Sequence, residues 1–509
     1  MGKNRQLVIN LVTTFIVLIV NIIINFGLSR YIVDAIGEEA YGFISLANNF
    51  VAYATIFTTA LNSMASRFIT IDIYNKRYES ANKFFSSVLI ANLIIILFLI
   101  IPSVFLIIYL QYILKIPVNL ITDVKILFAL IFFNFFINLI GGVFTIATYC
   151  TNKLYLSSLR KMESAIINVL IIVGLFVFFK PQTFYIGIGA ILASIYIVLF
   201  NVYYTKKLIP EIKIKKSNFS GKKIGILLSS GLWNTVTNLG NVLCDGLDLI
   251  ISNLAIDAAT MGIVAIAKLP SNVFNTIIST ISNVFQPQII SYYAKGDIDN
   301  VKIETIKGMK INGVFGNIPF AYVIAFGFAF CSTWMPNVEN NVLSILFIIT
   351  FINIFVGGLI SPLYNIFTIT NHVKGNALLN ICSGIVSTLI VLLLLNITKL
   401  GVYAIVGVSA VIGLLKGFII VPIYAAYCLN IEKKTFIPPI FKYFVATIIM
   451  AIAFLGINFI LPVNGWLTLG LSVILCGIIG IIVNLMLFLN KEEKKALIGI
   501  LLKGRKEGV

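Results

Sequence analysis

The sequence predicts an all-α, polytopic membrane protein of about 14 transmembrane helices. It predicts two six-helix lobes related by a parallel repeat, plus two C-terminal helices, with both termini cytoplasmic. Three observations carry this. Hydrophobic residues make up 59% and charged residues 11% of the 509 residues, and mean hydropathy is +1.03, whereas a soluble domain carries about 25% charge. The apolar residues gather in runs of about 20, the length that crosses a hydrocarbon core. Lysine and arginine fall on alternate connections between those runs.

Lys3 and Arg5 precede a run from Leu7 to Leu28 that is too long for a signal-peptide core and lacks a small-residue cleavage site, so it reads as a first span over 7–30. Breaks at Gly37-Glu38-Glu39, at Asn75-Lys76-Arg77 and at Lys115 to Asp123 set off helices near 42–68, 84–112 and 124–150. Thr151-Asn152-Lys153 and Lys180-Pro181 separate 162–179 and 183–205 from their neighbours. After a basic segment at 206–223 come 224–252, 259–291, 309–333 and 342–370. The last four lie near 376–397, 400–428, 439–461 and 465–489. The expected organisation is therefore an N-terminal lobe at 1–205 and a basic cytoplasmic linker at 206–223. A second lobe follows at 224–428, then two further helices and a tail at 429–509.

The formal net charge of +18 does not point to nucleic acid, because its placement is topological. With the N-terminus inside, 30 of 37 basic residues lie in inner connections and tails. Only Arg30, Lys115, Lys125, Lys180 and Lys399 lie outside, and Lys268 and Lys416 lie within spans. Such bias fixes an even number of spans. The basic linker and tail are expected against anionic inner-leaflet lipid. The six cysteines sit singly in or beside apolar segments and read as small hydrophobes. With one histidine, His372, no metal site and no cofactor is expected.

The two halves resemble each other. Phe136-Ile137-Asn138 ahead of Gly141-Gly142 matches Phe351-Ile352-Asn353 ahead of Gly357-Gly358. Thr151-Asn152-Lys153 matches Thr370-Asn371-His372. At a shift of 220, Thr14, Asn21 and Asn25 fall on Asn234, Asn241 and Asp245. At the same shift Asn48, Thr55, Thr59, Asn62 and Ser66 fall on Lys268, Asn275, Ser279, Ser282 and Gln286. At about 100° per residue, Asn234, Asn238, Asn241, Asp245 and Asp248 share one arc, as do Lys268, Asn272, Asn275, Ser279, Ser282 and Gln286. Lipid cannot satisfy amides and hydroxyls, so such stripes face other helices or water. Taken singly each stripe is helix-packing glue; four at equivalent places point to a shared polar cavity.

Asn10 ahead of an apolar span, then Ser29-Arg30-Tyr31, Gly37-Glu38 and Tyr41-Gly42, resembles the polysaccharide flippases of Wzx type. So do Lys268-Leu269-Pro270, Gln286-Pro287 and Tyr293-Ala294-Lys295-Gly296-Asp297. These proteins belong to the multidrug/oligosaccharidyl-lipid/polysaccharide exporter superfamily, and the resemblance covers nearly the whole chain. It implies translocation of an undecaprenyl-pyrophosphate-linked oligosaccharide to the outer leaflet of the bacterial cytoplasmic membrane by alternating access. Relatives include twelve-helix multidrug exporters and fourteen-helix lipid II flippases. The resemblance also implies functional arginines near the ends of the first two helices, where Arg30 and Arg67 stand.

A lipid-linked sugar needs a polar lining for the glycan, a cation for the pyrophosphate and a side opening for the tail. The expected substrate-binding set is Lys268, Arg30, Arg67, Asn21, Asn25, Asn48, Asn62, Asn234, Asn238, Asn241, Asn272, Asn275 and Gln286. Lys268 stands beside Pro270, and an unpaired lysine there costs about 2.5–3.5 kcal/mol; it meets either phosphate or Asp245/Asp248. Arg30 and Arg67 also fit snorkelling at the interfaces. Asp245 and Asp248 are candidates to bind a coupling H⁺ or Na⁺. A multidrug antiporter predicts a more acidic, aromatic-lined cavity, and a membrane-embedded polymerase predicts a long catalytic outer loop, which is lacking. A monomeric transporter rather than an enzyme is therefore expected, with lipid II flippase as an alternative.

Overall fold

Fourteen helical segments, and no strand, make up the described part of the chain, which in this computed structural model is residues 3–488. The side chains of residues 3–8, 11, 12, 14, 15 and 245 are outside the described set, as is the basic tail after Asn490. In chain order they are α1 Lys3–Ile36, α2 Glu38–Tyr74, α3 Tyr78–Ile113, α4 Val118–Cys150, α5 Leu154–Phe178 and α6 Tyr185–Leu208. Next, α7 (221–255) is built of Gly221–Asn241 and Asp248–Ala255 joined by a π turn, Val242–Gly246. Then follow α8 Ala258–Ala294, α9 Ile298–Trp334, α10 Asn340–Ile369 and α11 Val373–Ile397. The last three are α12 Val402–Cys428, α13 Ile437–Ile460 and α14 Trp466–Phe488.

Thirteen of these are long and apolar enough to cross a membrane among the described residues. The fourteenth, α7, is helical but too polar: Ser229, Ser230, Asn234, Thr235, Thr237, Asn238 and Asn241 dilute its apolar face. Several helices are longer than the apolar runs suggest. Thus α2, α8 and α9 each have 37 residues, about 55 Å at 1.5 Å per residue, against a core of about 30 Å. Their extra turns carry Glu38 and Lys307, which hydropathy reads as loop but helix geometry accepts once the backbone bonds itself. As a result Arg67 stands two turns inside α2, and Arg160, expected in a connection, lies within α5.

The internal repeat is written in the backbone. Lys76 and Gly296, 220 apart, both end their helices in the left-handed region, at φ 58° and 74°. Each is followed by the same pair of bonds: Arg77 N–H to Asp72 O with Lys76 N–H to Ile73 O, and Asp297 N–H to Tyr292 O with Gly296 N–H to Tyr293 O. This is the Schellman closure, which satisfies carbonyls the helix leaves open. Asn152 and Asn371, 219 apart, repeat it at φ 54° and 56°. At that shift, the 3₁₀ turns starting at Gly142 in α4 and Ser361 in α10 also coincide. Asn10 in α1 brackets the first of these turns. Its Nδ2 donates to Asn152 O at 3.0 Å and its Oδ1 accepts from Tyr155 N–H at 3.0 Å.

By packing, the chain forms two units. One holds α1 to α7, the start of α8 up to Ile266, and Ala377–Leu389 of α11. Its core joins Leu61, Ala65 and Ile69 of α2 to Phe84, Phe85 and Val88 of α3, and to Val143, Phe144 and Ala147 of α4. The other holds Ala267–Asn376 and the chain from Ile390 through α14. The repeat and the packing therefore divide the chain at different places, α7 packing with the first unit.

Within the second unit α13 and α14 dock through buried polar contacts. Tyr443 OH donates to Phe355 O at 2.7 Å, and the hydroxyl stands where Gly316 leaves room. Fully buried Asn317 in α9 donates to Asn484 Oδ1 of α14 at 2.7 Å, and Asn484 returns the bond at 3.2 Å. Asn317→Ala should therefore lower stability in detergent by about 1 kcal/mol or more, because it strands a buried amide. Joint Asn317→Leu/Asn484→Leu should cost less than the sum of the two single replacements, read from thermal unfolding.

Candidate functional site

The polar stripes expected from the sequence separate into two kinds. On α2 and α7 they face each other inside the first unit. Asn234 Nδ2 donates to Ser63 Oγ at 3.1 Å, and Asn238 Nδ2 reaches Thr59 Oγ1 at 3.1 Å and Thr55 Oγ1 at 3.3 Å. One turn beyond, Asn49 Nδ2 donates to Gly246 O at 3.2 Å and Tyr53 OH donates to the same carbonyl. That carbonyl belongs to the π turn, whose wider winding leaves backbone oxygens for side chains to take. Asn62 pairs in both directions with Asn92 of α3 at 3.0–3.1 Å, and Asn92 also donates to Leu139 O. Asn241 accepts from Asn380 Nδ2 of α11 at 3.2 Å.

Glycines set the approach of α7. A Cβ on Gly231 would lie 2.0 Å from Ala60 O, and one on Gly240 would lie 2.7 Å from Asn380 Cβ. Asn62, Asn234, Asn238 and Asn241 are thus engaged in helix-to-helix hydrogen bonds. Asn92, Asn380 and Ser63, which the stripe pattern did not single out, are their partners; only the three-dimensional pairing reveals them.

The π turn also changes the geometry expected for the carboxylates. Each residue inserted into a helix rotates the residues after it by about 100°, so Asp248 does not continue the regular face of Asn234, Asn238 and Asn241. Asp248 is buried, at 5% exposure; the Asp245 side chain lies outside the described residues.

On α8, in the second unit, the stripe is open. Asn272, Asn275, Thr276, Ser279, Thr280 and Asn283 are exposed along one side of the helix, and Lys268 and Gln286 are half-buried near its two ends. The hydroxyls of Thr276, Ser279 and Thr280 fold back on their own helix at 2.7–3.0 Å. The opposite side of α8 packs: Thr350 Oγ1 of α10 donates to Ala267 O at 3.2 Å, and Asn365 Nδ2 to Ser282 O at 3.4 Å. Pro270 and Pro287 lie inside this helix and remove its donors at two points. Ser282, expected on the open stripe, is instead buried.

The remaining expected residues are scattered. In α1, Asn25 is exposed and Asn21 half-buried. Asn48 is exposed and donates to Ile44 O of its own helix at 2.9 Å. Arg30 pairs with Asp34 at 3.5 Å, one turn on, and Arg67 is exposed. A cluster absent from the sequence expectation joins α5 to α6: Glu163 accepts from Arg160 at 2.5 Å and from Tyr196 OH, while Arg160 stacks over Phe200 at 4.7 Å. Its signal was the charge group Arg160, Lys161 and Glu163 at the boundary of the predicted helix 162–179, with the two basic residues assigned to a connection.

No family model matches the chain. It is 26% identical over 491 residues to the uncharacterized membrane protein EpsK of Bacillus subtilis (strain 168), covering 96% of each. Its fold is that of the lipid II flippase MurJ in an inward closed conformation, with a TM-score of 0.69, 15% identity, and 94% of this chain and 98% of that one covered. It also matches an inward-facing multidrug resistance transporter of the MATE family in the MOP superfamily, at TM-score 0.63 and 15% identity, covering 80% of this chain and 95% of that one. The protein is therefore a multi-pass membrane protein whose fold is similar to those of these two transporters.

The α2–α7 contact predicts a steep local effect. Gly231→Ala should destabilise by about 1–3 kcal/mol, the usual overpacking cost, because the obstacle is backbone. Gly225→Ala, on the same helix with nothing within 4 Å, should instead leave the melting temperature the same or raise it, by up to about 1 kcal/mol of stability.

Proposed function

We propose that the protein is a flippase for an undecaprenyl-pyrophosphate-linked oligosaccharide. It carries the glycan from the inner to the outer leaflet of a bacterial cytoplasmic membrane by alternating access, for surface polysaccharide export. The open polar side of α8 carries this reading. Amides and hydroxyls exposed in mid-span have no stable place against lipid tails, so they call for water or a hydrophilic cargo beside them. Asn272, Asn275 and Gln286 offer both donors and acceptors, which suits sugar hydroxyls. Lys268, near one end of that side, suits a phosphate oxygen.

The comparisons support the same direction. The lipid II flippase fold accounts for 94% of the chain and the multidrug transporter fold for 80%. A lipid-linked cargo also fits the charge of α8: from Lys268 to Gln288 there is no carboxylate, whereas a pocket for cationic drugs calls for one. In this reading both termini are cytoplasmic, the transporter works as a monomer, and Asp248 with Asp245 binds the coupling H⁺ or Na⁺. Asn21, Asn25 and Asn48 add to the polar lining, and Arg30 and Arg67 guide the pyrophosphate at the interfaces. Asn62, Asn234, Asn238 and Asn241 serve the cargo indirectly, by holding α7 to its neighbours.

Depletion tests the reading. Lipid-linked oligosaccharide should accumulate on the inner leaflet and surface polysaccharide should fall. Lys268→Ala should abolish export at a normal level of folded protein. Normal surface polysaccharide with altered dye resistance would favour a multidrug antiporter. Export restored by adding Asp245→Asn to Lys268→Ala would make the lysine a structural ion-pair member.

A further inference from the structure

The connection from α6 to α7 is a fixed platform rather than a loose chain. Its inward side is apolar: Ile209, at 4% exposure, belongs to the core of the first unit, with Leu208 and Ile212 packed against it. Its backbone is stapled to α3 by side chains. Asn82 brackets the segment, its Nδ2 donating to Glu211 O at 3.2 Å and its Oδ1 accepting from Lys213 N–H at 2.8 Å. Ser86 accepts from Lys215 N–H at 3.4 Å and Ser87 accepts from Ser220 N–H at 2.9 Å. Lys223 closes the segment, donating to Ser80 Oγ at 2.8 Å with its Nζ 4.1 Å over Phe84. Ser80 in turn donates to Asp72 at 2.5 Å, which pairs with Arg77 at 2.9 Å.

What this platform presents outward is basic and partly apolar. Lys206, Lys207, Lys213, Lys215, Lys216 and Lys222 are exposed, and Glu211 is the lone acid between Lys206 and Lys223. Ile214 and Phe219 are 47% and 44% exposed. The segment follows directly on α6, a helix long and apolar enough to cross a membrane, which puts its start at headgroup level. Tyr203, 51% exposed with Lys207 Nζ 5.4 Å from its ring, marks the end of α6 there. Fixed lysines interleaved with exposed Ile and Phe at that depth match a phosphate-rich surface with acyl chains beneath it.

We infer that the stapled segment 209–220, with Lys206, Lys207 and Lys222 at its ends, is a docking face for anionic phospholipid headgroups. The phosphates take the lysines, and Ile214 and Phe219 enter the acyl boundary. Because Lys223 is latched through Ser80 to Asp72, lipid held here also fixes the first turn of α7 against α2 and α3. This inference is independent of the transported cargo.

The test uses the full-length protein in nanodiscs of phosphatidylcholine with and without phosphatidylglycerol, read by melting temperature and by native mass spectrometry of retained lipid. Phosphatidylglycerol should raise the melting temperature and stay bound. In K213Q/K215Q/K216Q/K222Q its retention should fall at least about tenfold, since each surface lysine adds attraction to anionic lipid, and K213R/K215R/K216R/K222R should keep it. High salt should weaken retention in the wild type. Equal retention by the Gln variant, or no preference for phosphatidylglycerol in the wild type, overturns the inference. The second outcome would leave an acidic protein as the partner of the lysines.

Discussion

Inside a bilayer no water is available to satisfy a polar group, and nearly everything in this structure stems from that constraint. It makes the apolar segments helical and makes helix ends costly unless their carbonyls find partners. The repeated Schellman turns at Lys76 and Gly296, and at Asn152 and Asn371, answer this at four helix ends with one device. It also forces every amide within a span to find another helix or an aqueous space. Asn62 with Asn92, Asn238 with Thr59, and Asn317 with Asn484 take the first course. In the proposed transport reading, the open side of α8 takes the second.

That division explains why the polar helices differ in role. In α7 the amides are consumed by α2 and α11, and glycines at 231 and 240 bring the backbones close enough for the bonds to form. The helix is so polar that it would not span by hydropathy alone, yet each amide traced there has a neighbour built for it. In α8 the hydroxyls are turned back on the helix and the amides of Asn272 and Asn275 are left on the accessible side. A stripe read from the sequence is one pattern; the structure separates helix glue from candidate lining.

Much of the fold was legible because its causes are local. Apolar runs and their breaks locate the fourteen helices, and the Thr-Asn repeat marks a turn that the backbone repeats at the same spacing, whereas Gly357-Gly358, unlike Gly141-Gly142, stays inside regular helix. The longer helix ends were not legible, since Glu38 and Lys307 read as loop to hydropathy although a self-bonded helix tolerates them. Nor was the π turn at Val242–Gly246, because it depends on Tyr53 and Asn49 reaching Gly246 from another helix. The same limit hid Asn92, Asn380 and the Glu163–Arg160–Tyr196 cluster: each is defined by a partner distant in sequence. The site was legible as a set of polar positions and not as a division of labour among them.

The central claim is that one side of α8 meets water while its other exposed positions meet lipid, and single-cysteine labelling tests it most directly. Asn275 and Val284, both exposed, are nine residues apart and so lie on opposite sides of the helix at about 100° per residue. In a background without the six native cysteines, Asn275→Cys in membranes should react with a hydrophilic thiol reagent and Val284→Cys should not. Equal labelling at both positions, or none at Asn275→Cys, would contradict a water-facing polar side of α8.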